Sequence, residues 1–396
     1  MASRSVVIAG AGIGGLTAGL AIARRGFRVR MLEAADRLED VGAGIQLSPN
    51  ASRILIALGL REQLAPHVII PQELKVMNAA SERVLAHAPL GADAERRYGA
   101  PYWVIHRGDL QAVLRAAVEA HPDISLQLGS KVDDFAVHDG GVVVAAHRNG
   151  ERVEEHSIAL IGADGLWSNL RTRLGHDAAP RFAHHTAWRA LVPATDLPLD
   201  LARPTVNLWL GRDAHLVHYP VKGGQLVNVV AILRDDWHEV GWSAPATRAD
   251  LLARLTRDTW TAPARALIGA APQWQKWALY DRAPLAHWGK GPVTLLGDAA
   301  HPMLPYLAQG AAMAIEDAAV LGQCLAHTPD DAASALGAYE QARLARTART
   351  QRAARRNGGV YHMSGVAALL RTLALRSMGG ARLISRYDWL YGWTPG

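Results

Sequence analysis

The amino-acid sequence predicts an α/β protein: a nucleotide-binding domain of parallel strands and helices, a smaller and mostly antiparallel-sheet domain, and a run of C-terminal helices. Three observations predict it. The first third alternates short apolar strands with helices and opens on a glycine-rich turn at residues 10–15. Residues 178–290 change texture, with alternating strands and eight of the 12 tryptophans. Two later strand–turn–helix stretches set Asp164-Gly165 and Gly297-Asp298 at the carboxyl ends of predicted strands, where open α/β sheets bind ligands.

Length and composition bound the answer. The chain has 396 residues, 49% hydrophobic and 20% charged, and a single core seldom grows beyond about 250–300 residues. The expected division is a first part of the nucleotide-binding domain at 1–177, the sheet domain at 178–290, a return to the first domain at 291–356, and a helical tail at 357–396. The one cysteine, Cys324, excludes a disulfide framework and a Cys-based metal cluster, and points to a reducing, cytoplasmic compartment. No His/Asp/Glu grouping has metal-ligand spacing. The net charge of +6 does not come from a basic patch interleaved with aromatics, so nucleic acid is not expected. Part of it lies in Arg343, Arg346, Arg349, Arg352 and Arg355, which recur every three residues. That spacing is read as the solvated face of a surface helix; a lipid surface or a neighbouring subunit is the alternative.

In chain order, Ser5–Ala9 reads as a strand, Gly14–Arg25 as a helix closed by Gly26, and Arg28–Leu32 as a second strand ending in Glu33, a βαβ opening. The apolar run from Val6 to Ala23 mimics a signal peptide, but its glycines make a poor apolar helix, and no stretch is apolar enough for a membrane span. Asn50–Leu58 and Gly108–Ala120 read as helices. Short strands between Ile124 and Ile161, split by turns at Asp139-Gly140-Gly141 and Asn149-Gly150, form an inserted β-meander. His215–Val221 and Leu226–Leu233 are paired strands of the sheet domain. Val293–Gly297 is a buried strand, followed by helices from Gln309 to about Arg356 and at Val366–Arg376.

The glycines have individual reasons. Gly10, Gly12 and Gly15 stand in G-x-G-x-x-G spacing between a strand and a helix: Gly10 for the tight turn, Gly12 for approach of a pyrophosphate, Gly15 for helix–strand packing. The helix N-terminus offers free N–H groups to phosphates. Glu33, 18 residues after Gly15, suits a ribose hydroxyl pair. The domain is therefore Rossmann-like. Near Gly310 a second helix N-terminus follows Gly297-Asp298 and a loop stiffened by Pro302 and Pro305.

These three stretches, in this order, resemble the FAD-dependent aromatic hydroxylases of the para-hydroxybenzoate hydroxylase class over nearly the whole chain. GAGIQLSPNA at 42–51, AWRALVP at 187–193 and YLAQGAAMAIEDA at 306–318 resemble the salicylate and 3-hydroxybenzoate 6-hydroxylase branch. The resemblance implies tightly bound, non-covalent FAD held by Gly10, Gly12, Gly15, Glu33, Arg107, Asp164, Gly297, Asp298 and Gly310. It implies NADH or NADPH as a transient co-substrate, and oxygen delivered from a flavin hydroperoxide to a small aromatic acid. By the same resemblance, His218 in its H-Y-P context and Gln309 would act on the substrate hydroxyl, and His301 would be structural. Tyr306 is a candidate substrate contact. Arg189 is read either as a carboxylate binder or, with more weight, as half of a structural ion pair. Other readings are a hydroxypyridine-carboxylate hydroxylase, a non-oxygenating flavin reductase, and a lipid- or partner-binding flavoprotein. A homodimer stays open.

Overall fold

The computed structural model describes residues 4–38, 43–148, 151–255 and 260–396. The expected Asn149-Gly150 turn, and Gly42 at the head of the 42–51 stretch, lie outside the described residues.

The βαβ opening forms as expected. Strands Ser5–Ala9 and Arg28–Leu32 pair in parallel, and the five-stranded sheet is completed by Ala159–Gly162, Val293–Leu295 and Ile124–Gln127, all parallel. Helix Ile13–Ala23 is apolar on nearly every side and buried throughout most of its length, as a helix covered on both flanks must be. The meander forms from Ser130–His138, Gly141–Arg148 and Glu151–Ser157.

The second sheet is larger than the sequence suggests. It has eight strands, antiparallel except where Val206–Leu210 runs parallel to Glu73–Asn78. That strand and its hairpin partner Val84–Pro89 come from within the segment expected to belong wholly to the first domain. Their recruitment depends on a pairing more than 100 residues distant, which no local pattern announces.

Alternation along Ala214–Val221 decides what each face carries. Val217, Tyr219 and Val221 pack on one side with Leu383, Ile384, Leu390 and Tyr391 from the chain's end. Leu216 packs on the other side with Trp188, Trp209, Trp260 and Trp274, under helices Arg248–Arg254 and Ala262–Ala270. Half of the tryptophan-rich texture, four of the eight, is thus the core of the far face. The expected boundary at 356/357 falls inside a 30-residue helix, Ala332–Tyr361. The residues after it, in helices Gly365–Arg376, Gly380–Ser385 and Asp388–Tyr391, cover the near face of the sheet rather than forming a free tail.

The arginine series is not a solvated face. Arg343 is fully buried, with Nε 2.7 Å from Asp317 Oδ1. Its Nη1 lies 2.7 Å from Glu316 Oε2, an ionic contact too bent for a hydrogen bond. Arg346 grips Glu316 with two nitrogens and donates to the carbonyls of Trp389 and Leu390. Arg349 stacks 3.9 Å over the Trp389 ring, Arg355 pairs with Asp281, and Arg352 is exposed.

Candidate active site

The turn of the first βαβ unit separates glycines the chain needs from one that a ligand needs. A Cβ on Gly10 (φ +106°) would lie 2.4 Å from Ala163 O, and one on Gly15 would lie 2.0 Å from Gly10 O, so both are required by neighbouring backbone. A Cβ on Gly12 would meet nothing within 4 Å. Its bareness leaves open space at the N-terminus of helix Ile13–Ala23, where phosphates bind best. Glu33 stands beside this space and accepts hydrogen bonds from Ala11 N (2.7 Å) and Ala35 N (2.9 Å).

The other two turns border the same sheet edge. Asp164 Oδ2 accepts from Leu170 N at 3.2 Å, while its buried Oδ1 has no protein partner, and burial raises the pKa of this carboxyl. Asp298 is exposed, yet protein crowds round it closely enough that desolvation raises its pKa, opposed by the charges of His301 and Arg107. The carboxylate thus lines a cleft, open to solvent on one side and enclosed by protein on the others. Arg107 is exposed in that cleft, within electrostatic reach of both Asp298 and Arg189. Gly310 opens helix Gly310–His327, and a Cβ there would first meet Asp298 Oδ1 at 3.9 Å. An open glycine cradle, a carboxylate at the end of the second strand, an unpartnered carboxylate oxygen and a second helix N-terminus fit FAD.

Next to this cleft lies a cavity of about 540 Å³ between the large sheet and the C-terminal helices. Its walls include Gln46, Tyr102, His215, Tyr306, Ala308 and Tyr361. Tyr306 is 5% exposed, its ring 5.7 Å from that of His215, and its hydroxyl is buried without a partner. Burial pushes its pKa up, so it is a neutral donor in search of an acceptor. Gly358 makes room for this ring: a Cβ there would stand 2.6 Å from Tyr306 Cε2. Ala308, in the same loop, holds a left-handed backbone at φ +52° that a non-glycine residue seldom adopts.

Three expectations need correction. His218 does not face the cavity. It belongs to the opposite face of the sheet, where Trp209 Nε1 donates to its Nδ1 at 3.1 Å and Asn207 closes on Nε2 at 3.1 Å. Burial drops its pKa to about 3, so it is a neutral core histidine. Nor does Gln309 meet it. Gln309 donates to Ser48 Oγ at 2.8 Å and accepts from Asn50 Nδ2 at 3.1 Å, inside a network that runs on through Glu316. The histidine on the cavity side is His215, three residues earlier and of opposite parity. The ion-pair reading of Arg189 is corrected too. Among the described residues no carboxylate pairs with it; it lies over Trp277 at 5.1 Å with Nε buried and unpartnered, near Tyr219. His301, at 2.5 Å from Asp317 Oδ2, is tied into the Arg343 network, which supports its structural reading.

A parallel-sheet dinucleotide site opening onto a phenol- and imidazole-lined cavity defines a flavoprotein that works on a small molecule held beside its ring. The chain belongs to the FAD binding domain family, whose model matches residues 3–354. It is 39% identical to 3-hydroxybenzoate 6-hydroxylase 1 of Aquipseudomonas alcaligenes, covering 98% of this chain and 97% of the relative. It is 36% identical to 6-hydroxynicotinate 3-monooxygenase of Bordetella bronchiseptica, covering 89% and 91%. Among solved structures, a salicylate hydroxylase substrate complex superposes with a TM-score of 0.83 at 26% identity, covering 99% and 96%. Klebsiella pneumoniae HpxO with FAD and uric acid superposes at 0.86, also at 26% identity, covering 97% and 95%. The chain is an FAD-dependent monooxygenase that uses NAD(P)H. No described helix is long and apolar enough to cross a membrane.

Proposed function

We propose that the protein hydroxylates a small phenolic aromatic acid of the 3-hydroxybenzoate kind, using NAD(P)H and O2. The observation that carries this reading is the His215–Tyr306 wall, with its open hydroxyl and imidazole, set against the FAD cleft. Bound FAD supplies the hydride-accepting and oxygen-activating chemistry. The protein's part is to hold the ring, take up its hydroxyl proton and keep water out. A phenol has a pKa near 10 and is barely ionised at neutrality, so a base beside it speeds attack by the ring. His215 is that base. Tyr306 donates a hydrogen bond to the same ligand, and Arg189, whose Nε is unpartnered, serves its carboxylate. The 36% identity to a 6-hydroxynicotinate enzyme favours a hydroxypyridine carboxylate as the second substrate to try. The free, half-buried Cys324 supports a cytoplasmic setting.

The test is a panel of 3-hydroxybenzoate, salicylate, 3-amino-4-hydroxybenzoate and 6-hydroxynicotinate scored for NAD(P)H oxidation, hydroxylated product and peroxide together. Product formation with 3-hydroxybenzoate in large excess over peroxide is expected; stimulation by none of the four overturns the reading. Gly12→Val is expected to keep the fold, since its side chain enters open space, and to lose FAD, read as the 450 nm absorbance of the purified protein.

A further inference from the structure

Behind the cavity three histidines from three distant parts of the chain are hydrogen-bonded in a row. His215 Nδ1 lies 2.8 Å from His362 Nε2, and His362 Nδ1 lies 2.9 Å from His185 Nε2. His185 Nδ1 lies 2.7 Å from Ala183 O. Burial lowers the pKa of each of the three, so all are neutral near pH 7. The direction of the row then follows from its anchor. A carbonyl can only accept, so His185 carries its proton on Nδ1 and leaves Nε2 bare. His362 must therefore donate from Nδ1, leaving its own Nε2 bare for His215 Nδ1–H. What remains is His215 Nε2, a lone pair with no partner among the described residues, on a side chain that lines the cavity.

The surroundings give the row an inside and an outside. Tyr306 and Tyr361, both neutral phenols, flank His215 at 5.7 and 5.2 Å between ring centres. Arg371 borders His362 and disfavours its charged form, while a hydrogen bond to the Ile232 backbone favours it. At the far end Arg234, His184 and Asp213 act on His185, and only there does a carboxylate favour the charged imidazole. His184, Arg234, Asp235 and Asp236 line a hollow at the surface beside it.

We propose that His215, His362 and His185 form a proton relay carrying the hydroxyl proton of the cavity-bound phenol out to the surface at His185. It rests on the phenol-hydroxylase reading above. The phenolic O–H bond breaks and the proton joins His215 Nε2. The Nδ1 proton of His215 passes to His362 Nε2, and that of His362 passes to His185 Nε2. The Nδ1 proton of His185 leaves to solvent past the acidic hollow. One proton enters the row and one leaves, and phenolate stays in the cavity. Each imidazole ends with its proton on Nε2, so His215 now donates to the phenolate it has made. Return of a proton from solvent resets the row when product is released.

The test mixes FAD-loaded protein with 3-hydroxybenzoate in weak buffer containing an indicator dye, following phenolate absorbance and released protons together. In the wild type both are expected to rise in step. His362→Phe, which keeps a ring in place, is expected to bind the ligand while proton release slows at least tenfold and phenolate formation shifts to higher pH. In His185→Ala, added imidazole is expected to restore the rate at least fivefold. Nitrogen NMR of histidine-labelled, ligand-free wild type is expected to show all three rings as Nδ1–H tautomers, which decides the matter even where a variant fails to fold. Unchanged rate and pH dependence in His362→Phe, or any of the three rings found as Nε2–H, overturns the relay and leaves the hydroxylase reading standing. A wild type that ionises no phenolic acid also overturns the relay, whereas the hydroxylase reading falls only if no acid of the panel stimulates turnover.

Discussion

Two buried polar clusters lie along the helix Gly310–His327, and they differ in one respect. Around Glu316 and Asp317 the charges are matched: Arg343, Arg346, His301, Asn50 and the amide of Gly297 surround the two carboxylates, although Arg343 Nη1 and His301 Nδ1 make no hydrogen bond. Around the cavity at the head of that helix the groups have loose ends. Tyr306 Oη is buried without a partner, and the histidine row ends on a bare nitrogen. Buried polar atoms are nearly always satisfied. A cluster whose charges compensate one another holds the fold together, whereas neutral donors and acceptors left open on a cavity wall are completed by something that comes and goes. That contrast, rather than the number of charges, separates scaffold from site here.

The largest expected effect falls on the matched cluster. Asp317 shows how tightly it is balanced: burial alone would raise its pKa, but His301 and Arg343 together hold it below the usual carboxylate range. Removing one partner of such a group typically costs about 3–5 kcal/mol. Arg343→Met should therefore lower the free energy of unfolding by that order, read as a lower urea midpoint. If Arg343→Met unfolds at the wild-type midpoint, the matched cluster is not the scaffold we take it for.

On the loose cluster the expected loss is in chemistry instead. His215→Asn should retain FAD and accept hydride, while hydroxylation falls about 10²-fold or more, the usual worth of a general base, and peroxide rises. His218→Gln is the control. It sits on the same strand, three residues away, but faces the tryptophan core, and coupling should stay within about twofold. The reverse outcome would move the site to the other face of the sheet.

A smaller effect reads both kinds of burial through pH. His218 has a folded pKa of about 3 against about 6.5 unfolded. Between those values the unfolded chain binds a proton that the native chain does not, so native stability falls as pH drops below 6.5. The slope approaches about 1.4 kcal/mol per pH unit for one such histidine. Asp317 has the opposite timing: its folded pKa is depressed, so its contribution is complete above about pH 4 and is lost only as pH falls further. Urea unfolding between pH 7.5 and 5 should thus weaken before Asp317 titrates, and His218→Gln should flatten that decline. A curve level down to pH 5 would mean that these histidines are charged in the native state.

How much of this was legible depends on how local each signal is. The cradle residues Gly10, Gly12, Gly15 and Glu33 sit within 24 residues of one another, in spacing with its own physical reason, and they could be read directly. His215 and His218 share one strand, and only the parity of the pleat tells them apart. Sequence alternation gave the period but not which face is the cavity, because apolar residues occupy both. The histidine row was illegible, since it joins residues 185, 215 and 362 through packing alone.

The arginine series makes the same point on a helix and yields the smallest expected effect. Each residue advances about 100° around an α-helix, so a step of three falls about 60° short of a full turn. Five arginines in such steps sweep about 240°, too wide an arc for one face. Arg343 lies at the buried centre against Glu316 and Asp317, and Arg346 at its edge. Arg349 rests on the Trp389 ring, and Arg355 reaches Asp281 on the other side. Arg352, exposed and carrying no ion pair among the described residues, is the member that matches the solvated face expected of all five. Arg352→Gln should therefore change stability by no more than about 0.5 kcal/mol, as surface changes away from special features do, and leave coupling untouched. Arg349→Gln should cost somewhat more through its lost stacking, about 0.5–1 kcal/mol at an exposed site. Urea unfolding of the single variants should then rank Arg343, Arg349 and Arg352 in that order. Equal costs along the series would mean that the helix presents one uniform arginine face after all.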